Sequence, residues 1–240
     1  MPAITGVFWV LKILSTAMGE STSDFSVHRF NPELAVLGAA LVFGVVLWWQ
    51  LKAPRFLITT YWAAVVMVSV FGTMCADELH VGFHVPYLVS ASFFGVTLVA
   101  VFITWSRLEH TLSIHSITTT RREVFYWAAV ITTFAFGTAL GDMTAITLHL
   151  GYLRSGVVFA IIFCLPTFSY ALLRLNAIGT FWTAYILTRP VGASFSDYLG
   201  VSPARGGLNW GPGNVAFMFT FLIAVIVAVL VWQQRSRRAR

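Results

Sequence analysis

Apolar residues dominate this chain in runs of about 20, the length a helix needs to cross the hydrocarbon of a bilayer. Eight such runs are legible, at about 4–26, 33–51, 57–80, 86–106, 124–149, 152–173, 178–199 and 213–232. They are continuous and not alternating, so each predicts a helix and not a strand of a membrane barrel. Polar positions break the first, third, fifth and seventh runs at steps of four, which places them on one helix face. These stripes are Lys12, Thr16, Glu20, Asp24 and His28; Val65, Ser69, Thr73, Asp77 and Val81; Val130, Phe134, Thr138, Asp142 and Ile146; and Tyr185, Arg189, Ala193 and Asp197. Lipid offers polar groups no hydrogen bonds, so the stripes are expected to face inward.

The stripes belong to a unit written four times. Each of the four aspartates, Asp24, Asp77, Asp142 and Asp197, follows a glycine by five residues (Gly19, Gly72, Gly137, Gly192). Each glycine follows a tryptophan by ten (Trp9, Trp62, Trp127, Trp182), and an aromatic precedes each tryptophan: Phe8, Tyr61, Tyr126 and Phe181. Two crossings per unit return the chain to its starting side, so the repeats are parallel and not inverted, and all four acids lie at one depth on one side. The expected fold is all-α: a polytopic bundle of eight transmembrane helices from four parallel helical hairpins. One membrane domain fills 1–240, with repeats at about 4–52, 56–107, 122–175 and 178–233 and a basic tail at 234–240. Segment 107–123 reads as a polar linker between the halves. The tryptophans read as interface anchors, and the small residues four positions after each glycine as close helix contacts.

Four tandem two-helix units with Phe8-Trp9…Gly19…Asp24, Tyr61-Trp62…Gly72…Asp77, Tyr126-Trp127…Gly137…Asp142 and Phe181-Trp182…Gly192…Asp197 resemble a family of bacterial integral membrane proteins. That family is defined by a repeated domain of unknown function with two membrane spans per copy. The resemblance implies the fold and a place in the bacterial cytoplasmic (inner) membrane; it implies no activity.

Composition agrees with a membrane protein. The chain is 58% hydrophobic and 10% charged, with a mean hydropathy of +0.81, where a soluble domain carries roughly 25% charged residues. Its net charge of +6 does not mark a nucleic-acid partner, because the charge is sorted by side. Lys52, Arg55, Arg107, Arg121, Arg122, Arg174, Arg235, Arg237, Arg238 and Arg240 fall on one side of an eight-helix topology, and Arg29, Arg154 and Arg205 on the other. The positive-inside rule then puts both termini in the cytoplasm, with the tail against anionic headgroups. Cys75 and Cys164 have no metal or redox spacing and read as small buried apolar residues.

The candidate chemistry is that of the acids. Four inward carboxylates at one level, with Glu20 and Glu78 nearby, repel one another unless some are protonated or a cation sits among them. Asp24, Asp77, Asp142, Asp197, Glu20 and Glu78 are therefore the expected cation-binding set. Lys12, Arg189 and Pro190 are the expected counter-charges and gate, Arg189 pairing with Glu20 across the bundle and Pro190 bending the seventh helix. Asp77, His80, His84 and His149 form a second candidate, a metal-acquiring mouth, since imidazole shifts preference toward the later transition metals. No cofactor motif is present; a bound divalent metal ion is the one addition the acids invite. The expected partners are the lipid bilayer and a small cation, with a homo-oligomer left open.

Two functions fit: transport of a cation, divalent or proton-coupled, and a non-transporting structural or sensory role. An enzyme is not expected, because the chain lacks HExxH, Gly-x-Ser-x-Gly and CxxCH.

Overall fold

A computed structural model describes residues 2–53, 55–173 and 176–238. The described residues form eight long helices and no strand: α1 (Gly6–Arg29), α2 (Pro32–Lys52), α3 (Ile58–Asp77), α4 (Tyr87–Glu109), α5 (Thr120–Asp142), α6 (Tyr152–Leu173), α7 (Ala177–Gly200) and α8 (Pro212–Arg238). Arg174 and Arg240, counted above with the basic side, lie outside the described residues, as does the end of the third repeat at 174–175. The helix starts are capped as the sequence invites. Side-chain oxygens of Thr5, Asn31, Thr119 and Asn176 accept from the first turns of α1, α2, α5 and α7, and Pro32 takes the first helical position of α2.

Polar and charged side chains are buried within an otherwise apolar core, and large apolar side chains face outward. The buried polar residues include Lys12, Glu20, Arg189 and Asp197, whereas Leu34, Leu37, Leu41, Val45 and Trp48 of α2 and Val96 and Phe217 of α4 and α8 are exposed. An apolar exterior with the charges turned inward is the arrangement lipid requires. Five helices, α2, α3, α4, α5 and α8, are long and apolar enough to cross a membrane. Charges inside α1 and α7 lower their hydropathy, and four of them, Lys12, Glu20, Arg189 and Asp197, are buried.

The stripe-bearing helices close into a ring. α1 packs on α3, α3 on α5, α5 on α7, and α7 back on α1. Glycine sets each of these four contacts. A Cβ at Gly19 would meet Ser69, one at Gly72 would lie 2.8 Å from the Phe134 Cβ, one at Gly137 2.6 Å from the Arg189 Cβ, and one at Gly192 2.8 Å from the Ala17 nitrogen and against the Thr16 hydroxyl. The residues met, Thr16, Ser69, Phe134 and Arg189, occupy one level of the four stripes. The ring is thus a fourfold pseudosymmetric stack of layers.

The units are not self-packed hairpins, which corrects the sequence expectation. α2 rests mainly on α3 and only lightly on α1; α4 covers α5, α6 covers α7, and α8 covers α1. Each second helix leans on the next unit, and the last leans on the first. Three of the four tryptophans are packed inside the bundle and do not face lipid as anchors would: Trp62, Trp127 and Trp182 are only 2–4% exposed, whereas Trp9 is half-buried. The first aromatic of each doublet packs on the tryptophan of the following unit, with ring centroids 5.8 Å apart for Phe8–Trp62, 5.9 Å for Tyr61–Trp127, 6.1 Å for Tyr126–Trp182 and 5.7 Å for Phe181–Trp9. This second closed ring, of aromatics, seals the end of the bundle opposite the aspartates.

Segment 107–123 is ordered and not a plain linker. It ends α4, makes a 3₁₀ turn at Ile114–Ser116 with Ile114 buried, and starts α5. Glu109 pairs with Arg121 and Arg122, and the Trp182 indole donates to the Leu112 carbonyl at 2.9 Å. Cys75 is half-buried and Cys164 is exposed on α6, so only the first approaches the expected burial.

Candidate functional site

The aspartate end of the ring holds a cavity of about 370 Å³. Its lining includes Asp24 from α1, Asp77 from α3, Asp142 from α5 and Asp197 from α7, with Glu20 and Glu78. Equivalent positions on four parallel helices bring them together. Two overlapping triads, Glu20 with Asp24 and Asp77, and Glu20 with Asp142 and Asp197, each have carboxylate oxygens within 4.8 Å of one another. Glu20 belongs to both because it lies one turn deeper, at 3% exposure. Asp77 accepts from the Ser23 hydroxyl at 3.1 Å. Asp197 is 7% exposed and has no hydrogen-bond partner among the described residues. Glu78 lines the cavity but belongs to neither triad; it begins the π-helical turn Glu78–Gly82, and its carboxylate folds over Gly82.

Arg189 lies behind Glu20, outside the cavity lining. Its guanidinium is fully buried and pairs with Glu20 across the bundle, as the sequence suggested. The same terminal nitrogen also faces the Thr73 hydroxyl at 2.5 Å and the Thr138 hydroxyl at 2.7 Å, so its two hydrogens are shared among three acceptors. Glu20, Thr73 and Thr138 are equivalent stripe positions, and the fourth, Ala193, is small. One nitrogen therefore ties together α1, α3, α5 and α7. The other terminal nitrogen reaches only the Thr16 carbonyl, at 3.4 Å, and Nε has no partner. Below Arg189, the Lys12 ammonium lies 3.8 Å from the centroid of Phe134 and 4.3 Å from that of Tyr185, also without a hydrogen-bond partner among the described residues. Beneath it Tyr61 and Tyr126 share a hydroxyl hydrogen bond of 2.6 Å. α7 continues as one helix through Pro190, whose ring lies against Gly137 and Gly141 of α5.

The histidine mouth does not form, which corrects the second sequence candidate. Among the described residues, the groups able to hold a metal ion are carboxylates alone. The α-helix of repeat two ends at Asp77, so helical spacing does not extend to the histidines. His80 turns its Nδ1 to the Val85 carbonyl at 2.7 Å and stacks on Tyr87. His84 and His149 are exposed at equivalent positive-φ turns, φ 56° and 54°.

The family described as Repeat of Unknown Function (DUF347) matches residues 60–111, 125–174 and 180–236, more than half of the chain. The chain belongs to this repeat family. The matched segments cover the greater part of α3–α4, α5–α6 and α7–α8. Although the DUF347 match starts at residue 60, α1 and α2 keep the same glycine, aromatic and aspartate geometry and complete the ring. No curated protein and no solved structure matches the chain.

Three residues at the cavity mouth of this DUF347 protein escaped the sequence reading: Tyr87, Tyr152 and Arg205. Arg205 donates to the Tyr152 hydroxyl at 2.8 Å. A signal for the tyrosines was present, since Tyr87 and Tyr152 each follow the aspartate of their repeat by ten residues. Arg205 has no counterpart in the other repeats.

Proposed function

We propose that this protein is a small multi-pass transporter that moves a cation through the acid-lined cavity. One observation carries the reading: the aspartates of all four repeats line a single cavity with Glu20. Five acids outnumber the two bases buried on the axis, Lys12 and Arg189. Such close carboxylates need protons or a cation among them. All eight helices cross the membrane in this reading, both termini lie in the cytoplasm, and the membrane is the bacterial cytoplasmic one. The aspartate end then opens outward. Arg189, Lys12 and the aromatic ring form the closed inner gate, with Pro190 beside the part that moves. No catalytic role is assigned.

The density of that inner half favours one alternative, a sensor that binds a cation and never passes it. Flux of Mn²⁺ into proteoliposomes separates the two. Transport predicts flux in the wild type and its loss in Asp77→Asn/Asp142→Asn, at equal protein incorporation. Flux unchanged in the double variant would contradict the acid site, and Mn²⁺ binding without flux would favour the sensor.

A further inference from the structure

Glu20 is the acid common to both triads, and it is already engaged by Arg189. We propose that Arg189 is a tethered competitor: it neutralises Glu20 while the cavity is empty and yields that carboxylate to an incoming hard divalent cation. The proposal rests on the cation-site reading above, but on binding alone and not on transport.

The ligand class follows from the donors. Every group in the triads is a carboxylate and no imidazole joins them, a set that favours Mg²⁺, Ca²⁺ or Mn²⁺ over softer metals. A cavity of about 370 Å³ leaves space for an ion that keeps several of its waters. Asp197, more than nine-tenths buried on the cavity wall without a hydrogen-bond partner among the described residues, is a ligand in waiting beside Glu20.

Displacement follows from how unevenly Arg189 is held. One terminal nitrogen shares its two hydrogens among Glu20, Thr73 and Thr138, the other has only a 3.4 Å contact, and Nε has none. A guanidinium built purely as a brace is normally satisfied through several of its donors. A metal ion and the guanidinium cannot both use the Glu20 carboxylate fully. The affinity of the cavity for the ion is then lowered by the cost of moving Arg189 away.

The test uses full-length protein in lipid nanodiscs with Mn²⁺ or Mg²⁺ alone. Arg189→Met is expected to bind Mn²⁺ about tenfold or more tightly than the wild type, and Glu20→Gln more weakly. Arg189→Met leaves Glu20 unpaired and is at risk of misfolding, so the wild type supplies a second readout. Its buried arginine Nε–H resonance, identified by its loss in Arg189→Lys, is expected to shift as diamagnetic Mg²⁺ saturates the protein. Mg²⁺ binding that leaves this resonance unmoved, or Mn²⁺ binding no tighter in a folded Arg189→Met, overturns the competitor role and leaves the acid site standing. Absence of binding in the wild type and in Arg189→Met overturns both.

Discussion

Glycine 72 shows how little freedom the ring leaves to a single residue. A methyl group there would sit 2.8 Å from the Phe134 Cβ, too close for any rotamer change to relieve, so α3 and α5 must move apart. Gly72→Ala is expected to lose about 1–3 kcal/mol of stability, read as a lower unfolding temperature in detergent. Gly38→Ala on α2, where nothing lies within 4 Å, is expected to be neutral. Thr73 and Thr138 present the polar counterpart, since each accepts a hydrogen bond from a buried charge. Thr73→Val is expected to cost about 0.5–1.5 kcal/mol by removing one of three acceptors that share two guanidinium hydrogens, whereas Thr97→Val, half-buried on α4 with its hydroxyl bonded only to the Phe93 carbonyl of its own helix, should not register. At this scale the sequence was most legible where it repeated. The aspartates, the glycines and the Glu20–Arg189 pair could be read because each occupies a repeated or symmetry-breaking position. Thr73 and Thr138 stood in the stripes, but nothing in one sequence says which nitrogen they would meet. His80, His84 and His149 were misread because helical spacing was carried past Asp77 and Asp142, where the α-helix gives way to a π turn.

Among the elements, the informative departure is the partner of each outer helix. Hydropathy located all eight helices, since every apolar run became one, but it is silent on which neighbour a uniformly apolar helix covers. The choice of the next unit follows from a ring that must close on itself: α8 lies on α1 as α2 lies on α3. Chain order then matters less than ring order. A circular permutant opened between α2 and α3, with a short linker from α8 to α1, keeps every helix pair and both termini at the tryptophan end. It is expected to insert and to unfold at a temperature close to that of the parent. An aggregated or protease-sensitive permutant would show that the α1–α2 unit must form first and that the closed ring does not define the fold. The aromatic doublets make the same point. Their spacing was plain in the sequence, but their use as a ring between units, and not as anchors to headgroups, depends on neighbours that only the closed bundle supplies.

For the whole molecule, the parallel repeats give the bundle two unlike ends. One carries acids around a cavity; the other is packed with aromatics and flanked by Glu109, Arg121 and Arg122. This asymmetry was foreseen from the four matched aspartates, and only the depth of the seal below them was not. If the chain crosses the membrane as proposed, the two ends face different compartments. In a background lacking Cys75 and Cys164, a cysteine at exposed Phe83 should react with an impermeant thiol reagent from outside intact cells, and one at exposed His115 only after permeabilisation. Labelling of both from the same side would refute the topology.

The central claim is that the four repeat aspartates act as one site. Binding of Mn²⁺ to purified protein, followed by electron paramagnetic resonance of the free ion, tests it for Asp24→Asn, Asp77→Asn, Asp142→Asn and Asp197→Asn one at a time. The account predicts saturable binding in the wild type, weakened in each of the four variants. Wild-type affinity retained in all four would contradict it.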